Sequence, residues 1–182
     1  MSKGRGGAAR RALLWIGGAL AGLVIAALLV VVTPAGQRAL ASATGRTATG
    51  DEPVLLGPDA SASVLPPAGW RVEGPVAERL WLRSPDAGVS VEISAGSAEE
   101  DPEALVRETL GIDAFVNRET LGSGHTVTHG ADGPRLVAVV ASQPPLVFVV
   151  SVGDAGDDGG GDGDRGIEIY RPAIAGILES VS

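Results

Sequence analysis

The chain of 182 residues contains no cysteine, 14 basic and 22 acidic residues, and carries a net charge of −8. Without cysteine there is no disulfide, thiolate metal site or cysteine nucleophile. The charge is unevenly placed: residues 1–11 hold Lys3, Arg5, Arg10 and Arg11 and no acid, whereas residues 44–182 set nine arginines against all 22 acids, a net of −13. Such a surface repels nucleic acid and other polyanions.

Ala12–Val32 is a run of 21 residues with no charge and no proline. As a helix it spans roughly 30 Å, the thickness of a bilayer's hydrocarbon core. Trp15 lies near one end, where an amphipathic ring favours the interface, and only Arg38 follows the run closely. The positive-inside rule therefore predicts a basic cytoplasmic tail (1–11), a transmembrane helix (12–32) and an extracytoplasmic remainder. A cleavable signal has a shorter apolar core, about 7–15 residues, with a small-residue site just after it. Here the nearest such sites, Ala39-Leu40-Ala41 and Ala41-Ser42-Ala43, lie beyond Pro34 and Arg38, so a retained single-pass anchor is expected. The Arg10-Arg11 pair has the look of a twin-arginine export signal but is common before membrane helices. Gly18, Gly22 and Ala26 form a small-xxx-small row that can pair helices, though small residues are plentiful in this segment.

Residues 33–64 are rich in Ala, Gly, Ser, Thr and Pro without sustained period, which predicts a flexible stalk with a short structured piece at Val54-Leu55-Leu56. The domain proper is expected over 65–182. Trp70 and Val72 alternate with Arg71 and Glu73 as a short strand. Glu78–Arg83 reads as another, with Leu80 and Leu82 on one face and Trp81 on the other. Ser84-Pro85-Asp86-Ala87-Gly88 supplies turn chemistry, and Val89–Ser94 alternates strictly, so the two strands form a hairpin with one buried face.

A helix is predicted within Ser97–Gly111: Asp101 caps it, Pro102 fits the first position, and Glu103 suits the positive end of the dipole. Leu105, Val106 and Leu110 give it an apolar stripe, and Gly111 ends it. Phe115-Val116 opens a further helical turn or two, ending by Gly122, and His125–His129 reads as a strand. Leu136–Ala141 and Leu146–Val152, split by Gln143-Pro144-Pro145, are apolar on both faces and predict adjacent antiparallel strands covered on both sides. Tyr170, Ile174, Ile177, Leu178 and Val181 recur at helical spacing, with Pro172 near the start.

The order strand, hairpin, helix, three strands, helix predicts one α+β domain: an antiparallel sheet flanked by helices. Pro67-Ala68-Gly69-Trp70, the hairpin, the helix at Pro102 and the closing Ile177-Leu178-Glu179-Ser180-Val181 together resemble the PsbP-like superfamily over Leu65–Ser182. The resemblance implies an antiparallel sheet sandwiched by helices and a binding or assembly accessory, not a catalyst. It carries over no functional residue, and the chain lacks the lipobox cysteine of lipid-anchored members.

The polar stretch 153–166 gathers Asp154, Asp157, Asp158, Asp162 and Asp164 among glycines, carboxylates that can wrap Ca²⁺. Its spacing fits neither template. An EF-hand begun at Asp162 puts Ile167 at the turn glycine, and a β-roll repeat puts Arg165 at its aspartate. A solvated loop is the plainer expectation. His125 and His129, four apart on a strand, lie about 13 Å from each other, too far to share zinc. Ser123 and His125 are types a hydrolase uses, but the Gly-x-Ser-x-Gly elbow is missing. Glu99-Glu100-Asp101 fits a helix start better than acid–base work, and Trp70 and Trp81 fit core anchoring. No phosphate loop or dinucleotide fingerprint occurs, so no cofactor is expected.

One lysine against thirteen arginines suggests a high-G+C bacterial source. The sum is a membrane-anchored, non-catalytic extracytoplasmic module with an envelope protein as partner. A cation- or ligand-binding domain using the aspartate loop is the alternative, and an envelope hydrolase a more distant one.

Overall fold

The two runs that are apolar on both faces lie where such runs belong, at the centre of a sheet. The computed structural model describes residues 33–76, 78–97, 99–111, 114–153 and 163–182. By internal contacts the chain divides into Met1–Leu40 and Ala41–Ser182, and the second unit holds the sheet. Helix α1 (Pro34–Ala43) leads into it. The strands are β1 (Arg46–Thr47), β2 (Val54–Leu56), β3 (Ala62–Val64), β4 (Arg71–Val76), β5 (Arg79–Arg83), β6 (Val89–Ala95), β7 (Val116–Thr120), β8 (Thr126–Asp132), β9 (Arg135–Val140) and β10 (Leu146–Val152). Helix α2 (Pro102–Leu110) lies between β6 and β7, and α3 (Gly163–Glu179) follows β10.

Eight strands form one antiparallel sheet in the order β1-β4-β5-β6-β10-β9-β8-β7, and β2 and β3 pair as a separate hairpin. The two halves of the sheet join through β6 and β10, which pair along seven positions from Val89↔Val152 to Ala95↔Leu146. Side chains alternate across the pleat. One face carries Val72, Leu80, Leu82, Val91, Ile93, Val127, Ala138, Val140, Phe148 and Val150 into the main core. That core is completed by Val54, Leu56, Ala62 and Val64 of the hairpin and by Ile174, Ile177, Leu178 and Val181 at the C-terminal end. On the other face α2 seats Val106, fully buried, against Val137 and Val139.

α2 is built as its sequence dictates. The Asp101 carboxylate accepts from the Glu103 amide at 3.2 Å, Pro102 takes the first helical position, and the Gly111 amide closes onto the Arg107 carbonyl. Gly130 lets the helix approach the sheet: a Cβ there would lie 2.8 Å from the Phe115 carbonyl and 3.0 Å from Val106 Cγ1.

The expected α+β class is corrected. Among the described residues the architecture is sheet-dominated, a mostly antiparallel β, sandwich-like fold. None of the described helices is long and apolar enough to cross a membrane, and the run 12–32 lies outside the described residues, as do Lys3, Arg5, Arg10, Arg11 and Trp15. Two segments shift the balance toward strand. Val116–Thr120, read as helical, is β7, because pairing with β8 supplies backbone partners that a polar five-residue stretch could not gain from a helix with no apolar stripe. Residues 33–64, read as a stalk, carry α1 and β1 to β3 instead. The folded unit therefore begins at Ala41 and not at residue 65. The Ser63 amide donates to the Ser182 carbonyl at 2.8 Å and the Ser182 amide returns to the Ser63 carbonyl at 3.2 Å, so the hairpin is stitched to the C-terminal residue. Pro172 stands inside α3 and not near its start.

Candidate functional site

Of the sheet's two edges, only β7 is long enough to accept another strand. β1 is two residues long, and its Arg46 is held by Glu52. β7 runs five residues, about 17 Å, with no proline. The Leu121 amide donates to the His125 carbonyl at 2.8 Å, which fixes the alternation. In the antiparallel register Asn117 and Glu119 exchange bonds with His129 and Val127 of β8. Val116, Arg118 and Thr120 accordingly turn their backbone N–H and C=O groups away from the sheet. Among the described residues no further strand pairs with this edge.

Charged side chains are a common way to blunt an edge. Here they are drawn back onto their own domain: Arg118 reaches Glu103 of α2 at 3.7 Å, and Glu119 reaches His129 Nε2 at 3.5 Å. Phe115, at the entry to β7, is 77% exposed, the most open large apolar side chain among the described residues. The symmetric register that would pair all five residues with a second copy sets Arg118 against Arg118, which disfavours self-pairing.

The residues singled out in the sequence fall elsewhere. Asp154, Asp157, Asp158 and Asp162 lie outside the described residues, and Asp164 falls in the first turn of α3, where its side chain is not described. Among the described residues no group of three or more His, Cys, Asp or Glu is arranged to hold a metal ion. His129 sits on β8 with Glu119, while the His125 ring bonds the Ala141 carbonyl at 3.2 Å, so the two histidines serve different contacts. Ser123 lies exposed in the β7–β8 turn. Glu100 accepts from the Ser97 amide at 3.0 Å and Asp101 from the Glu103 amide, so both serve the start of α2, while the Glu99 side chain is exposed. Trp70 is buried in the main core. Trp81 is buried on the opposite face, and its Nε1 is the one buried side-chain donor without a partner among the described residues.

A second polar cluster locks the β5–β6 turn to α3. Asp86 accepts from the Ser84 hydroxyl at 2.5 Å, the Gly88 amide at 3.1 Å and the Tyr170 hydroxyl at 2.5 Å. The Ser84 hydroxyl foremost, then Tyr170 and the Gly88 amide, stabilise the carboxylate and lower its pKa to about 2. Tyr170 is raised in turn by donating to that carboxylate. This clasp is structural: it joins a turn to a helix and offers no free group to a substrate.

The β7 edge was legible in part. Val116 and Thr120 are strand formers, and Gly122-Ser123-Gly124 is a turn before the next strand. Neither shows that β7 ends the sheet, which depends on β9 and β10 pairing inward. No protein-family model matches the chain, and no curated protein matches it.

Proposed function

We propose that this chain is a non-catalytic interaction module of a bacterial cell envelope. On this reading the apolar run 12–32 holds it at the membrane, with the tail 1–11 in the cytoplasm and the sheet domain outside. The observation that carries the interaction role is the β7 edge, with its outward-facing backbone and exposed Phe115. The occupant is an extended segment of another envelope protein, added as a ninth strand with an apolar side chain over Phe115. The accessory role implied by the PsbP-like resemblance agrees with this.

The test is photocrosslinking in cells, with a photoreactive residue at Phe115 or Thr120 and a control at Leu55, itself 53% exposed. A discrete adduct from the edge positions is expected. It is lost in Arg118→Pro, which removes an outward amide, and absent from the control. Adducts equally frequent at Leu55, or none at the edge, would remove the proposal. Sidedness is tested by protease shaving of spheroplasts, where digestion of the sheet domain from outside with retention of Lys3–Arg11 is the expected result.

A further inference from the structure

One row of the main sheet holds four unpaired side chains, although the other six arginines whose side chains are described are ion-paired. Registers set Arg71 opposite Arg83, Arg83 opposite Ser90, Ser90 opposite Ser151, and Ser151 opposite Arg135. Directly opposed residues share a face. These five therefore line up across β4, β5, β6, β10 and β9 on the face turned away from the main core. Strands about 4.8 Å apart place Arg83 and Arg135 about 14 Å from each other at the backbone, with the two serines between them. Both arginines are exposed and both serines half-buried.

Eight arginine side chains are described, and six of them, Arg46, Arg71, Arg79, Arg107, Arg118 and Arg171, are ion-paired. Among the described residues the guanidinium groups of Arg83 and Arg135 have no ion pair or hydrogen bond, and the hydroxyls of Ser90 and Ser151 likewise have none. Arg83 also faces Arg71, a like-charge opposition that is unfavourable unless an anion relieves it. Arg71 is already committed to Glu73 Oε1 at 3.0 Å and the Ser42 carbonyl at 2.9 Å.

We infer that the row Arg83-Ser90-Ser151-Arg135 binds the phosphate group of a soluble small molecule. Two guanidinium forks close on the oxyanion from either side, and two hydroxyls donate from the sheet below. The acidic surroundings repel extended polyanions and anionic membranes, so a compact ligand is selected. Asp132, exposed and directly opposite Arg135 on β8, sits at one end of the row and opposes the anion. Glu92, in the adjacent row, is held by Arg79 at 3.0 Å.

The experiment is an NMR titration of the full chain with inorganic phosphate, against sodium chloride of matched ionic strength. Saturable shifts at the amides and arginine Nε groups of the row are expected, absent with chloride. Arg83→Gln and Arg135→Gln each weaken binding about tenfold, as loss of a charged hydrogen bond implies. Asp132→Asn tightens it several-fold. Ser90→Ala with Ser151→Ala keeps both charges and weakens binding less, which separates a built site from diffuse attraction. Shifts that stay linear in phosphate, or affinity unchanged in the Arg83→Gln/Arg135→Gln chain, would overturn the inference. Tight binding to phosphatidylglycerol vesicles with none to phosphate would do so equally, since the source would then be a lipid surface.

Discussion

Gly88 shows how much a single missing methyl group can carry. A Cβ built there would lie 2.1 Å from the Tyr170 hydroxyl, so the Asp86–Tyr170 clasp exists only because residue 88 has no side chain. Gly88→Ala is expected to push Tyr170 off Asp86 and to destabilise by about 1–3 kcal/mol, as overpacking does, read from the midpoint of urea unfolding. The clasp also has a pH signature. Asp86 is depressed from 3.8 to about 2 when folded, so its contribution is present above pH 3.8 and lost as pH falls toward 2. Tyr170, raised above 10, works in the opposite sense: its contribution holds below pH 10 and fades as pH climbs through the folded value. Tyr170 is the only tyrosine, so an absorbance titration reads it without overlap. The midpoint is expected above 10 in the natural chain and nearer the ordinary value in Asp86→Asn. An unchanged midpoint would mean that the hydrogen bond is not formed.

Among the elements, the β2–β3 hairpin and α2 illustrate opposite relations between local signal and structure. α2 announces itself through a cap, a first-turn proline and an apolar stripe, and it then needs the sheet to become stable. Val106 is its fully buried pin, so Val106→Ala is expected to cost about 1–3 kcal/mol and to raise amide exchange in α2 ahead of the sheet. Gly130→Ala acts on the same joint from the sheet side, forcing the helix outward. The hairpin gives almost no local signal. Its strands have three residues each, too few to display a period, yet Val54, Leu56, Ala62 and Val64 are buried. A chain beginning at Leu65 therefore uncovers the main core. It is expected to show the dye binding and lost near-UV signal of a poorly packed state, while one beginning at Ala41 stays folded. Equal stability of the two would return residues 33–64 to the role of a stalk.

At the scale of the molecule, the pairing of β6 with β10 decides what faces outward. It puts the two most apolar strands, β9 and β10, inside, and leaves β7 at the rim. It also aligns three arginines and two serines from five strands in one row. Phe148, 1% exposed on β10, sits at that junction, and Phe148→Ala is expected to destabilise by about 3–5 kcal/mol in chemical denaturation. The sequence by itself determined the period-two strands β5 and β6 with their turn, the apolar pair β9 and β10, the capped helix α2 and the C-terminal helix. These are short-range patterns, set by side-chain alternation, turn residues and caps acting within a few positions. Only the tertiary structure decided that Val116–Thr120 is an edge strand, that Val54, Leu56, Ala62 and Val64 belong to the core, and that Arg83, Ser90, Ser151 and Arg135 stand side by side. Those outcomes depend on which strands pair across long stretches of chain. Burial and hydrogen bonding select that pairing cooperatively, and no local pattern of residues encodes it.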